Sequence, residues 1–125
     1  MALPVAIAVA GALGALCRWG LTAAVQRVLP GVFPWGTFVV NVIGCFLLGW
    51  LSTLLVDRLD WNLAVRTAVL SGFLGAFTTF STFSFDTLEL VRTGHVTKAT
   101  LNVMLSVGIG LFAVWIGVRA AGRAL

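Results

Sequence analysis

Charge is scarce in this chain. Only 10% of its 125 residues are Asp, Glu, Lys or Arg, and the four acidic ones, Asp57, Asp60, Asp86 and Glu89, lie at or beyond the ends of its apolar runs. Cysteine and histidine are rarer still. Cys17 and Cys45 stand inside apolar runs without metal-type spacing, so they are expected to be small packing residues rather than a disulfide or a metal site. The single histidine, His95, falls in a short polar segment, where a solvated imidazole is expected. The eight basic residues are scattered over the sequence instead of forming a patch, which argues against a nucleic-acid surface and suggests anchors at helix ends.

What is abundant is apolar side chain. The sequence is 60% hydrophobic with a mean hydropathy of +1.08, more than a polar-surfaced domain in water would carry. Uncharged stretches extend over Met1 to Cys17, Val28 to Val56, Thr67 to Phe85 and Ala99 to Val118. Crossing the hydrocarbon of a bilayer takes roughly 20 mainly apolar residues, so four crossings are expected. We expect helices over about 3–28, 36–56, 64–90 and 97–120, forming one four-helix membrane domain across 1–125. The intervening segments, Pro30 to Pro34, Asp57 to Arg66 and Val91 to Lys98, are too short for a soluble catalytic domain, so function is expected within the membrane and no enzyme activity is expected. The first run has no basic residue before it and continues past Arg18 to Val25, and so reads as a retained helix rather than a secretory signal.

With four crossings, both ends and the second loop share one side of the membrane. That side holds Arg58, Arg66, Arg119 and Arg123, and the other holds Arg27, Arg92 and Lys98, with Arg18 as a further member if it snorkels outward. Orientation follows the Lys/Arg imbalance of short loops, and here the imbalance nearly vanishes. Insertion both ways up is therefore expected, and with it an antiparallel homodimer whose twofold axis lies in the membrane plane. Glycines and alanines at Gly11, Gly14, Ala15, Gly44, Gly49, Gly108, Gly110 and Gly117 suit close helix packing. Trp35, Trp50, Trp61 and Trp115 suit the headgroup region, whereas Trp19, beside Arg18 and well inside the first run, points to a hydrated vestibule.

The most informative stretch is Gly72-Phe73-Leu74-Gly75-Ala76-Phe77-Thr78-Thr79-Phe80-Ser81-Thr82-Phe83-Ser84. Hydroxyls, glycines and phenylalanines interleave there inside an apolar segment. A glycine-broken helix in hydrocarbon frees backbone carbonyls that another helix, water or an ion must satisfy, so we expect the third helix to be broken near its middle and to line an ion site. Carbonyls freed at Gly75 and Thr78 are hard oxygen ligands for a cation, and two copies facing a dimer axis would supply four. Asn41, deep in the second helix, needs partners; an interhelical hydrogen bond and an anion-donating NH2 group are both open to it. Phe80 and Phe83, three apart, share a helix face, and the positive edges of their rings suit a small anion, as do the hydroxyls of Ser81 and Thr82. Ser106 extends the donors onto the fourth helix, although a serine there commonly bonds back to its own helix. Donors outnumber acidic groups along this path, which favours an anion.

These blocks, Gly11-x-x-Gly14-Ala15-x-x-Arg18, Gly36-Thr37-x-x-x-Asn41-x-x-Gly44 and the Gly72-to-Ser84 run, make the chain resemble the CrcB/Fluc fluoride channels over nearly its whole length. The resemblance implies an all-α integral membrane protein of the bacterial cell (inner) membrane that assembles as a dual-topology antiparallel homodimer. It also implies two fluoride pathways lined by Asn41, Phe80 and Phe83 and assisted by Ser106 and a hydroxyl such as Ser81 or Thr82, with Arg18 at the vestibule. One structural sodium ion per dimer would rest on the Gly75 and Thr78 carbonyls. The implied activity is passive fluoride efflux. The chain departs from a common pattern of these channels at Ala76, Asn102 and Gly110. A proton-coupled exporter of the small multidrug resistance type shares the size and pairing but needs a carboxylate in helix one, and none occurs between Met1 and Arg27. A noncatalytic scaffold would leave the Thr/Ser/Phe run unexplained.

Overall fold

The computed structural model describes residues 2–59 and 61–122. Asp60 and Arg123, together with the side chain of Arg58, enter the charge reckoning above but lie outside what is described. Every regular element among the described residues is helical. Helix α1 spans Ala2–Val28, and α2 spans Trp35–Ser52 and continues as a π-helical turn, Thr53–Arg58. A third helical stretch opens with α3, Leu63–Thr67, widens into a π-helix over Ala68–Leu74 and tightens again in α4, Gly75–Phe77; α5 follows at Phe80–Arg92 and α6 at Val96–Ala120. Four of these stretches, Ala2–Val28, Trp35–Asp57, Leu63–Arg92 and Val96–Ala120, are long and apolar enough to cross a bilayer. At about 1.5 Å per residue, even the shortest, of 23 residues, exceeds the roughly 30 Å of hydrocarbon.

The connections are tighter than the sequence suggested. Helical geometry persists through Arg58 and resumes at Leu63, where the Asn62 side chain accepts the Val65 N–H as a cap. Between α1 and α2, Gln26 Nε2 donates to the Gly31 carbonyl at 3.1 Å while its Oε1 accepts the Gly36 N–H at 3.3 Å. This staple folds the Pro-rich turn back onto α1, and Gly31 allows it by taking φ +133°. Gly94, at φ +82°, ends α5 with the His95 N–H donating to the Leu90 carbonyl at 2.7 Å.

Large apolar side chains face outwards. Leu13, Leu16, Trp19, Met104 and Leu111 are all more than half exposed, as expected when the solvent is lipid. The interior is held instead by close backbone approach. A Cβ on Gly14 would run into the Phe73 carbonyl, one on Gly49 into the Val114 carbonyl, and one on Gly117 into the Phe46 carbonyl. Thus α1 is clamped to the π-helical segment, and α2 to α6. Of the glycines expected to pack, Gly108 is the exception: nothing lies within 4 Å of its Cβ position, so within the chain it serves no helix contact. Trp35 packs with Phe33 and Phe38 beside the α1–α2 turn, and Trp115 lies under the Arg119 guanidinium at 5.9 Å, both arrangements suited to a membrane interface.

Candidate functional site

The third span departs from helical geometry at two residues. Thr78 has φ −84° and ψ 158°, and Thr79 has φ −151° and ψ 114°, both extended, whereas Gly75 stays helical as the first residue of α4. The side chain of Asn41 fits into this gap. Its Oδ1 accepts the Thr79 N–H at 2.8 Å, and its Nδ2 donates to the Thr79 carbonyl at 3.0 Å. A single amide thereby does for Thr79 what the next helical turn would have done. The orientation of the Asn41 amide is set by this pairing, since a backbone N–H must meet the oxygen. Because an amide nitrogen carries two hydrogens, one donor remains beyond the bond to Thr79.

The neighbouring hydroxyls complete the repair. Thr79 Oγ1 accepts the Thr82 N–H at 3.1 Å as the cap of α5 and contacts Thr82 Oγ1 at 3.0 Å and Ser81 Oγ at 3.3 Å. In an uninterrupted helix the N–H groups of Thr79 and Thr82 would serve the carbonyls of Gly75 and Thr78, four residues earlier. Here they are taken by Asn41 and by Thr79 Oγ1. The interruption therefore withdraws helical donors from the Gly75 and Thr78 carbonyls.

Both of these residues line a groove of about 330 Å³ with Asn41, Phe80, Phe83 and Ser106. The remaining wall is mostly apolar, formed by Gly44, Cys45, Leu48, Leu70, Leu74 and Val107 with Thr79. The Phe80 and Phe83 ring centroids are 5.6 Å apart and tilted by 44°; Phe80 is 80% exposed, the more open of the two. Three sequence-predicted residues stand apart. Ser81 and Thr82 are exposed at the start of α5 and do not line the groove within this chain, their hydroxyls meeting Thr79 instead. Arg18 is half-buried on α1, away from the groove lining.

Several polar groups matter more than the sequence indicated. Ser106 does not bond back to its own carbonyl but donates to the Asn102 side chain at 3.4 Å. Asn102, only 1% exposed, donates in turn to Thr87 Oγ1 at 2.9 Å. The i, i+4 spacing of Asn102 and Ser106 within the apolar stretch from Leu101 to Val118 was the available signal. Thr37 Oγ1 donates to Asp86 Oδ2 at 2.7 Å and ties the start of α2 to α5, a pairing of residues 49 apart that no local pattern announces.

Four apolar helical stretches of spanning length, with a largely apolar groove beside the two extended residues of the third, define a multi-pass membrane protein of bacterial type. The model of the "CrcB-like protein, Camphor Resistance (CrcB)" family matches residues 5–118, and the chain belongs to that family. Among similar proteins, the "Fluoride-specific ion channel FluC" of Hydrogenovibrio crunogenus is 46% identical over 91% of this chain and 86% of its own length. The protein of the same name from Nitratidesulfovibrio vulgaris is 44% identical over 90% of this chain and 91% of its own length. A longer namesake from Methylococcus capsulatus is 49% identical over 94% of this chain and 52% of its own.

Proposed function

We propose that this protein is a fluoride-selective channel that lets the anion leave the cell passively. The observation that carries this is the groove itself, which gathers Asn41, Phe80, Phe83 and Ser106 beside an interrupted membrane span and, among the described residues, has no carboxylate in its lining. The similar proteins named as fluoride-specific channels support it. Fluoride is small and holds its water tightly, so a path for it must offer compensating donors at close range. The free hydrogen of Asn41, the Ser106 hydroxyl and the ring edges of Phe80 and Phe83 are such donors. A narrow path of this kind rejects chloride by size and cations by the sign of its dipoles. Arg18 attracts the anion at the vestibule, and a hydroxyl such as Ser81 or Thr82 assists along the pathway. The driving force is the membrane potential, worth about 2.3 kcal/mol per charge per 100 mV, after hydrogen fluoride has entered as a neutral acid and dissociated inside.

The working unit in this reading is an antiparallel homodimer. A groove holding the Gly75 and Thr78 carbonyls short of helical donors cannot face lipid, where each unsatisfied polar group costs several kcal/mol, and a second inverted copy would cover it. The nearly balanced Arg and Lys distribution supports insertion in both orientations. The break in the third helix is the functional element in this scheme. Its Gly75 and Thr78 carbonyls, short of helical donors, fit a hard monovalent cation, and two copies would present four such oxygens to one sodium ion. Such an ion would supply a fixed positive charge at the centre of the pair.

Purified protein in liposomes tests the proposal. Rapid fluoride release without a proton gradient, with negligible chloride release, is expected; fluoride-tight vesicles containing folded, paired protein would refute it, and proton-coupled transport would indicate an exporter.

A further inference from the structure

Five hydroxyls of this protein return their hydrogen to a backbone carbonyl four residues earlier. Thr53 donates to Gly49, Thr78 to Leu74, Ser84 to Phe80, Thr87 to Phe83 and Thr100 to Val96, at 2.7 to 3.1 Å. Ser106 does otherwise. Its Oγ contacts the side-chain Oδ1 of Asn102 at 3.4 Å rather than the carbonyl of the same residue.

The direction of that contact is forced from its far end. The Phe83 carbonyl can only accept, so the Thr87 hydroxyl donates to it, at 2.7 Å. Thr87 Oγ1 is then an acceptor for the Asn102 NH2 group, at 2.9 Å. With its nitrogen committed to Thr87, Asn102 turns its oxygen towards Ser106. The amide is buried, at 1% exposure, and water does not compete for it. A one-way chain of donors thus leads from the groove-lining Ser106 on α6, through Asn102 and Thr87, to the backbone of the groove-lining Phe83 on α5.

We propose that Asn102 is a positioning residue that keeps the Ser106 hydroxyl available to an anion in the groove by diverting it from a back-bond to its own helix. The inference rests on the fluoride reading of that groove. At 3.4 Å the Ser106–Asn102 contact is far longer than the optimum of about 2.7–2.8 Å for such bonds, so its hydrogen is weakly held and turns readily to a charged acceptor. A back-bond as short as those of its neighbours would hold the hydroxyl against the helix. Asn102, a departure from the common pattern of the channels this chain resembles, thereby acts on conduction without lining the groove.

Fluoride efflux from liposomes, measured over a range of fluoride concentrations, tests this with wild type, Asn102→Leu, Ser106→Ala and the double variant. Each single substitution is expected to raise the half-saturating fluoride concentration by about threefold to tenfold, the effect of one hydrogen bond, and the double variant to be no worse than Ser106→Ala. A purely structural Asn102 would instead lower the maximal rate by the same factor whether residue 106 is serine or alanine, with half-saturation unmoved, and that result overturns the proposal. If Asn102→Leu does not fold, Thr87→Val takes its place, since it removes the hydroxyl that orients the amide. Its effect on half-saturation is expected only with Ser106 present, and an effect independent of Ser106, or none, overturns the proposal. A wild type that passes no fluoride would instead remove the channel reading itself, and this inference with it.

Discussion

Asn41 and Thr79, on different membrane spans, exchange two hydrogen bonds of 2.8 and 3.0 Å, and through them an amide side chain completes the backbone of an interrupted helix. Asn41→Asp keeps the acceptor for the Thr79 N–H but sets a carboxylate oxygen against the Thr79 carbonyl. Leaving a buried group unpaired costs about 1–3 kcal/mol, so fluoride flux is expected to fall by roughly tenfold to a hundredfold or more while the protein stays folded and the proposed dimer persists. Efflux recorded with a fluoride electrode, beside size-exclusion of the same preparation, checks both halves.

Phe80 offers a cleaner separation of packing from conduction. Its ring is 80% exposed within the chain and holds no core contact that an isoleucine would empty. Phe80→Ile is therefore expected to leave folding intact, within about 0.5 kcal/mol, and to suppress flux strongly by removing a positive ring edge from the proposed path. Unchanged flux in both Phe80→Ile and Asn41→Asp would remove these residues from the pathway.

Gly117 and Gly108 lie on the same helix in opposite circumstances. A Cβ at Gly117 meets the Phe46 carbonyl and, at 2.8 Å, the Trp50 nitrogen, both main-chain atoms that cannot swing aside; a Cβ at Gly108 meets nothing within 4 Å. Gly117→Ala is expected to destabilise the fold by about 1–3 kcal/mol through forced separation of α2 and α6. Gly108→Ala should change it by less than about 0.5 kcal/mol. Unfolding in detergent by a graded denaturant compares the two, and equal losses would contradict the packing described.

The proposed sodium ion at the Gly75 and Thr78 carbonyls carries a prediction of its own. Exhaustive removal of sodium, with no other small cation supplied, is expected to abolish flux and to increase the monomer fraction on dilution into lipid, and readdition to restore both. Retained activity in sodium-free lipid would count against a cation held there.

Tags on both ends of the chain examine the proposed pairing. Each terminus is expected on both faces of the membrane in comparable amounts, and adding two lysines to one loop should bias insertion and reduce active dimers unless a copy biased the other way is co-expressed. A single orientation in the unmodified protein would leave the inverted partner without a source.

Much was legible in the sequence because a bilayer imposes simple demands. Four apolar runs of spanning length answer to the thickness of hydrocarbon, and the run from Gly72 to Ser84 stands out because lipid offers hydroxyls and unpaired carbonyls no partner. Less legible were the π-helical segments, of which Ala68–Leu74 packs closely on α1 at Gly14 and Gly72, and the placement of Ser81 and Thr82 on the Thr79 cap instead of in the groove.

Residue order alone determined that this protein crosses a membrane four times and carries its unusual polar groups in the third crossing, since span length and burial of polar atoms are local constraints. Only the tertiary structure decided which groups meet: Asn41 with Thr79, Thr37 with Asp86, and Ser106 with Asn102 and Thr87. The physical reason is that hydrogen bonds between helices are fixed by depth and rotation of one helix against another. Those are set by glycine contacts spread along the chain, and no single stretch of sequence contains them.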